Sequence, residues 1–214
     1  MKIKRIGDES LKPEERTAIA SYRHKVFVES LRWELPGIKH EHEQDEFDAA
    51  PAVHIVAMND ASLPIGYGRL IPTTKNYLLG SLFPHLVEQR ALPRAPDVWE
   101  LSRFTSAQIF GDTDDLARRR TQVGKRILLE AVEFVRARSG REIVFCTTPA
   151  IERLALRWGV DLQRLGPPKE VAGDRLVAAL IRCNVRTSEA LLGRREAASD
   201  LRLSRRPGVP AAFS

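Results

Sequence analysis

In the stretch Trp99-Glu100-Leu101-Ser102-Arg103-Phe104 a carboxylate and a guanidinium stand among aromatic and apolar residues. Val98, Leu101 and Phe104 give the stretch a strand-like pattern, so both charges must be paired, ligand-bound or solvated to offset desolvation. Strand residues three apart point to opposite faces, so Glu100 and Arg103 reach one cleft only if a bulge or twist intervenes. Two readings stay open: a charged edge strand with a satisfied ion pair, or the floor of a site for a zwitterionic ligand.

Three further stretches hold residues of the same kind: Arg23-x-x-x-Phe27-Val28 continuing to Trp33; Asp45-x-x-Asp48 within Glu43-Gln44-Asp45-Glu46-Phe47-Asp48; and Gly68-Arg69-Leu70-Ile71-Pro72-Thr73-Thr74, with Phe83 downstream. Taken singly each is weak. Arg23 suits an exposed helix charge, Trp33 a core plug, and Asp45 with Asp48 a solvated acidic face. Together, in this order and spacing, the four stretches closely resemble the acyl-homoserine-lactone synthases, the autoinducer synthases of bacterial quorum sensing. The likeness runs from about Arg23 to about Thr187. Arg23, Phe27, Trp33, Asp45, Asp48, Arg69, Phe83, Glu100 and Arg103 all match its motif positions.

The resemblance implies a GNAT-like fold and a reaction between S-adenosylmethionine, as substrate and not cofactor, and an acyl group on acyl carrier protein. The substrate amine is acylated; its carboxylate then attacks its own γ-carbon, expels methylthioadenosine and closes the lactone. The residues suit these steps. A sulfonium suits Trp33 by cation–π attraction and Asp45 and Asp48 by charge. The ligand carboxylate suits a guanidinium fork from Arg23, Arg69 or Arg103. An α-amine with a pKa of about 8 must lose a proton before attacking a thioester. Glu100 is the candidate base, directly or through water, with a structural pairing to Arg103 as the alternative. The oxyanion calls for a donor, expected as a backbone N–H at a bulge in this strand.

For the acyl chain, Phe104, Cys146, Thr147, Ile151, Leu154 and Trp158 are candidate lining residues. By resemblance, Thr147 or Thr148 lies where a threonine in some members favours a 3-oxo chain. Arg118, Arg119, Arg120, Lys125 and Arg126 form a basic cluster suited to docking the acidic carrier protein. The rival docking site is Arg194, Arg195, Arg202, Arg205 and Arg206. His40-x-His42 is set aside as a metal site, because a loop offers no fixed geometry and the chemistry needs no metal. The other histidines, including His24, His54 and His85, read as ordinary surface or core residues.

These side chains need a scaffold. A chain of 214 residues suits one domain with a full core: a catalytic domain over 1–193 and a frayed tail over 194–214. Hydrophobic content of 43% and charged content of 29% are ordinary for a globular protein. No apolar run approaches a membrane span, and the basic start Met1-Lys2-Ile3-Lys4-Arg5 leads into Gly7-Asp8-Glu9 and not into a signal core, so a cytoplasmic protein without stable membrane association is expected. Cys146 and Cys183 read as reduced core residues. A net charge of +6 and a pI of about 9.6 favour an acidic partner; no nucleic-acid-binding pattern accompanies them, and none is expected.

Helices are expected over 13–31, 77–87, 114–138 and 149–158, and strands over 53–58, 64–71, 98–104, 143–147 and 175–183. Residues 32–50 read as a long loop. That order describes a three-layer α/β/α sandwich with a mixed, largely antiparallel sheet, the layout of GNAT acyltransferases. Their coenzyme-A signal has two small residues at a helix start. Thr121-Gln122-Val123-Gly124-Lys125-Arg126 has one, with Arg126 in the second place, so a thioester donor without that pyrophosphate suits the chain better. The rival functions are a GNAT-type N-acetyltransferase using acyl-coenzyme A, and a non-catalytic basic binding protein of the same fold.

Overall fold

The computed structural model describes residues 1–33, 41–49, 51–106 and 114–193. The expected tail at 194–214, the C-terminal arginines and His40 lie outside the described residues. In chain order the elements are β1 (Lys2–Gly7), α1 (Pro13–Arg23), β2 (Val53–Met58), β3 (Pro64–Pro72), α2 (Leu78–Leu82), β4 (Val98–Thr105), α3 (Asp114–Arg136), β5 (Glu142–Thr147), α4 (Pro149–Arg157), β6 (Leu162–Arg164), β7 (Lys169–Val171), β8 (Asp174–Arg182) and α5 (Val185–Leu191). The sheet runs β1-β2-β3-β4-β5-β8-β6, with β7 also on β8. Only the β4–β5 pair is parallel.

Each strand divides its side chains between two helical layers. Ile55, Leu70, Leu101, Ile143 and Ile181 face α3, which meets them with Val123, Ile127, Leu128, Ala131, Val132 and Val135. The 3.6-residue spacing of these α3 side chains makes one apolar stripe. The helix comes so close to β3 that a Cβ on Gly66 would lie 2.6 Å from both Ile127 and Val123. On the opposite face Ile71, Val98, Val144, Ala178 and Leu180 pack with α2, while Val56 and Tyr67 pack with Ile19 and Tyr22 of α1.

The expected elements are present, with differences that have local causes. The helix expected over 77–87 is only Leu78–Leu82, because Pro84 opens a separate tight turn over Pro84–Leu86. The first helix does not continue as α-helix to residue 31: after Arg23 it widens into a π turn over His24–Ser30, which places Val26 and Phe27 inward. Thr148 caps α4 through its side chain and Pro149 opens the first turn. Strands β1, β6 and β7 and helix α5 were not expected. β1 is a lysine-bearing edge strand whose charges mask its alternation. β6 and β7 have three residues each, too few to set a period.

Two irregularities in β4 create the site. Tyr67 pairs with Thr105 and Arg69 with Ser102, so two steps along β3 match three along β4. The extra residue is a bulge, and Arg103 takes a left-handed conformation there, φ 52°. β4 also pairs with β5 only through Val98, Trp99 and Glu100, although both strands continue beyond. Past Glu100 the two parallel strands separate, leaving a wedge in the middle of the sheet. β4 is therefore an interior strand between β3 and β5, and the edge-strand reading falls.

Candidate active site

The bulge resolves the conflict posed by Glu100 and Arg103. It turns Arg103 onto the face of Ser102 and returns Phe104 to the α3 side, where it packs with Leu101 and Trp158. Arg103 then meets the loop carrying Glu43, Asp45 and Asp48. That loop is tied down where the Glu43 amide donates to the Ala20 carbonyl of α1 at 3.1 Å, and it folds on itself as the Asp45 amide donates to Asp48 at 2.9 Å.

Three arginines and three carboxylates interlock here. Arg23 donates to Glu43 through Nε and to Asp48 through Nη1 at 2.6 Å. Arg69 donates to Asp45 at 2.5 and 3.1 Å, to Asp48 at 2.6 Å and to the Ser102 hydroxyl at 3.1 Å. Arg103 donates to Glu43 at 3.1 Å and lies 2.9 Å from Asp45 Oδ2. That same oxygen is 3.8 Å from Arg23 Nη2, so three guanidiniums converge on it. Arg23 Nη2 is buried and makes no hydrogen bond.

Arg23, Arg69 and Glu43 are at most 1% exposed. A buried ionic set of this size is weak as a stabilising device, since apolar residues of similar volume do as well or better; its value is a fixed electric field. Burial would raise the Asp48 carboxyl, but Arg69 and Arg23 outweigh it and hold the group well below the usual carboxylate range. Aromatic rings wall the cluster. Phe27 stacks on Trp33 at 5.0 Å, the Arg103 guanidinium lies 5.6 Å from the Phe27 ring and that of Arg69 5.8 Å from Phe47.

Glu100 stands on the same face but does not pair with Arg103. Its two oxygens accept from the Leu78 and Leu79 amides, at 2.8 and 2.5 Å, the first turn of α2. It is 1% exposed. Burial pushes its carboxyl up to about 7, against the two amides and Arg69, which pull it down. A group poised near neutrality can take and return a proton at working pH. The structural partner of Glu100 is thus a helix start and not the expected Arg103, which belongs to the acidic loop.

The expected acyl-chain residues do not all share one surface. Phe104 and Trp158 lie on the α3 side, Cys146 on the α2 side, and the wedge between β4 and β5 lies between these two groups. Thr147 and Leu154 are half-buried. Ile151 is 41% exposed, because α4 buries Glu152 and Ala155 instead. Burial and the nearby Glu100 raise the Cys146 thiol to about 12, which disfavours the thiolate. Thr148 is engaged as the α4 cap. Phe83 ends α2 and packs in the second core cluster.

On α3, Arg118, Arg119 and Arg126 are exposed and Arg120 and Lys125 half-buried; Arg126 pairs with Glu130 at 3.5 Å. Glu43 and Ser102 were missed as site residues. Glu43 was visible as one of the five acids Glu41, Glu43, Asp45, Glu46 and Asp48, and only the fold singles it out. Among the described residues no group of three or more His, Cys, Asp or Glu side chains is placed to hold a metal, and no helix is long and apolar enough to cross a membrane.

The chain is similar to known proteins in sequence and fold. A family model described as autoinducer synthase matches residues 10–191. The acyl-homoserine-lactone synthase of Acinetobacter nosocomialis is 41% identical over 163 residues, 75% of this chain and 88% of that one. TofI, solved in a ternary complex with an inhibitor and MTA, matches with a TM-score of 0.78 at 32% identity, covering 89% of this chain and 96% of that one. BjaI, a CoA-dependent acyl-homoserine lactone synthase solved with SAM and isopentyl-CoA, matches at 0.77 and 25%, covering 90% and 88%. With the family model matched over residues 10–191 and relatives up to 41% identical over most of the chain, the chain belongs to the autoinducer synthases, the acyl-homoserine-lactone synthases, and is an acyltransferase.

Proposed function

We propose that the chain acylates the amine of S-adenosylmethionine with a chain delivered by acyl carrier protein, then closes the lactone with release of methylthioadenosine. The observation that carries this is the convergence of Arg23, Arg69 and Arg103 on Asp45 beside Glu100, at the mouth of the β4–β5 wedge. The arginine fork receives the substrate carboxylate in place of the Asp45 oxygen, with Arg23 Nη2, which makes no hydrogen bond, as a ready donor. Trp33 and Phe27 face the sulfonium. Asp45 and Asp48 attract the cationic parts of the ligand.

The acyl chain lies in the wedge, along Phe104, Cys146, Thr147, Leu154 and Trp158, so its thioester carbonyl reaches the bulge. Glu100, ionised near neutral pH, takes the proton from the amine, directly or through a water. A backbone N–H of the bulge stabilises the oxyanion. Lactone closure then needs mainly orientation, since the leaving group is already a sulfonium.

For the donor, acyl carrier protein is favoured by the position of Gly124. It stands ten residues into α3, where backbone amides bond within the helix and hold no pyrophosphate. A Cβ there would lie 3.2 Å from Trp158 and 3.3 Å from Ser106, so the glycine serves packing. Arg118, Arg119, Arg120, Lys125 and Arg126 form the docking face. Acyl-coenzyme A is the second reading, because BjaI is a CoA-dependent relative. The test is methylthioadenosine release from S-adenosylmethionine with a panel of acyl carrier proteins and of acyl-coenzyme A thioesters. Release with the carrier proteins is expected. Release with coenzyme A thioesters alone would replace the donor, and none from folded protein with either panel would overturn the proposal.

A further inference from the structure

Behind the charged cluster lies a second polar chain that the chemistry above does not use. Tyr67 is wholly buried on β3, and His54 is 2% exposed on the neighbouring β2. The Tyr67 hydroxyl is 2.6 Å from His54 Nδ1, and His54 Nε2 is 3.3 Å from Asp8 Oδ1. Asp8, in the turn after β1, is fixed by Arg16 of α1, which donates to its side chain at 2.7 Å and to its carbonyl at 2.9 Å. A carboxylate only accepts, so Nε2 carries the imidazole proton and Nδ1 accepts from the tyrosine. The chain therefore has one direction, from Tyr67 through His54 to Asp8. Burial lowers the His54 pKa, which keeps the ring in the neutral form this direction needs.

The other end of the chain is Arg23. Its guanidinium stands 5.5 Å from the Tyr67 ring centre. Burial raises the phenol to about 12, and the Arg23 charge works against that rise. Arg23 and His54 also line a common cavity of about 10 Å³, with Arg16, Glu43 and Asp48. Arg23 Nη2 makes no hydrogen bond and lies 3.8 Å from Asp45 Oδ2, so packing and the local field hold that end of the guanidinium, and Tyr67 supplies part of both.

We infer that Tyr67, His54 and Asp8 form a directed relay that positions Arg23, and through it the Glu43–Asp48 loop, for binding S-adenosylmethionine. The inference rests on the assignment of the charged cluster to that substrate. Tyr67 and His54 are positioning residues and touch no reacting atom. Protonation of His54 reverses the relay: both ring nitrogens then donate, and the Tyr67 proton must turn away from Nδ1, toward Arg23. The charged and titratable groups around His54 are Asp8, Arg16 and Arg23, Tyr67, and Asp48 and Glu43 of the loop. Acid therefore weakens substrate binding through this ring.

The test is calorimetric binding of S-adenosylmethionine to wild type, Tyr67→Phe, His54→Leu and His54→Gln, with steady-state kinetics on each and a pH series on wild type and Tyr67→Phe. Tyr67→Phe and His54→Leu should each raise the Kd about tenfold and leave the KM for the acyl donor unchanged. His54→Gln, whose amide can donate to Asp8 and accept from Tyr67, should stay within about threefold of wild type. The weakening of wild-type binding on the acid side should be absent in Tyr67→Phe. If Tyr67→Phe does not fold, the His54 pair decides alone. Wild type that binds while Tyr67→Phe and His54→Leu match it overturns the relay only. Equal losses in His54→Leu and His54→Gln, or equal losses for both substrates, also overturn it. Wild type that binds no S-adenosylmethionine overturns the site assignment and the relay with it.

Discussion

Replacing Glu100 by Gln separates two duties that the structure lays on one side chain. Both oxygens of Glu100 accept from α2 amides, at 2.8 and 2.5 Å. Gln keeps one acceptor but turns an NH2 toward the other amide, leaving a buried donor unsatisfied at a cost of about 1–3 kcal/mol. In a chain of this size that lowers the Tm by roughly 2–12 °C, at about 2–4 °C per kcal/mol. Loss of the base lowers kcat by about 10²–10⁴-fold. The stability effect also depends on pH. A carboxyl raised from 4.5 to about 7 binds its proton about 3 kcal/mol more tightly in the folded state, at about 1.4 kcal/mol per pH unit. Because the folded value is raised, this contribution is complete below 4.5 and is lost as the pH climbs to about 7. The stability advantage of wild type over Glu100→Gln should therefore shrink by about 3 kcal/mol over that window, while wild-type kcat rises through it. Chemical denaturation at several pH values and methylthioadenosine release give both readouts. A variant with near-normal kcat and a lowered Tm would reduce Glu100 to a helix cap. A stability difference that ignores pH would refute the raised carboxyl.

Asp48→Asn removes the carboxylate that Arg23 and Arg69 share, and breaking a buried pair should cost about 3–5 kcal/mol, read by denaturant titration. Because the Asp48 carboxyl is depressed in the fold, its contribution is present above the ordinary carboxylate value and lost in strong acid, so the gap between wild type and variant should close as the pH falls below about 4. Gly124→Ala places a methyl 3.2 Å from Trp158; if Trp158 bounds the acyl path, mass spectrometry of the lactones should show a shift to shorter chains. A double Arg118→Glu, Arg119→Glu variant should raise the KM for acyl carrier protein at least tenfold, with a weaker salt dependence, and leave S-adenosylmethionine binding unchanged.

Much of the fold is legible because it follows from local periodicity. The helices expected over 114–138 and 149–158 and the strands expected over 53–58 and 64–71 follow from their own residues and occur within two residues of those bounds. β1 was not, since a lysine-rich edge strand resembles a basic terminus, and the π turn after Arg23 was not, since no residue pattern announces it. Among the site residues, Arg23, Phe27, Trp33, Asp45, Asp48, Arg69 and Arg103 gather at one place. Glu43 remained one acid among five until the loop folded it under Arg23 and Arg103.

The sequence by itself therefore determined the residue types, their order and the reaction class they resemble, because those depend on side-chain chemistry and spacing along the chain. Only the tertiary structure decided how they meet. The bulge that the sequence could require but not place sits at Arg103 and breaks the period-two parity of β4, so Arg103 faces the acidic loop. Glu100 takes two amides of α2, 22 and 21 residues upstream, instead of the arginine three residues away. Such partners are chosen by distances across the sheet and by the cost of burying a charge alone, and neither is written in local spacing.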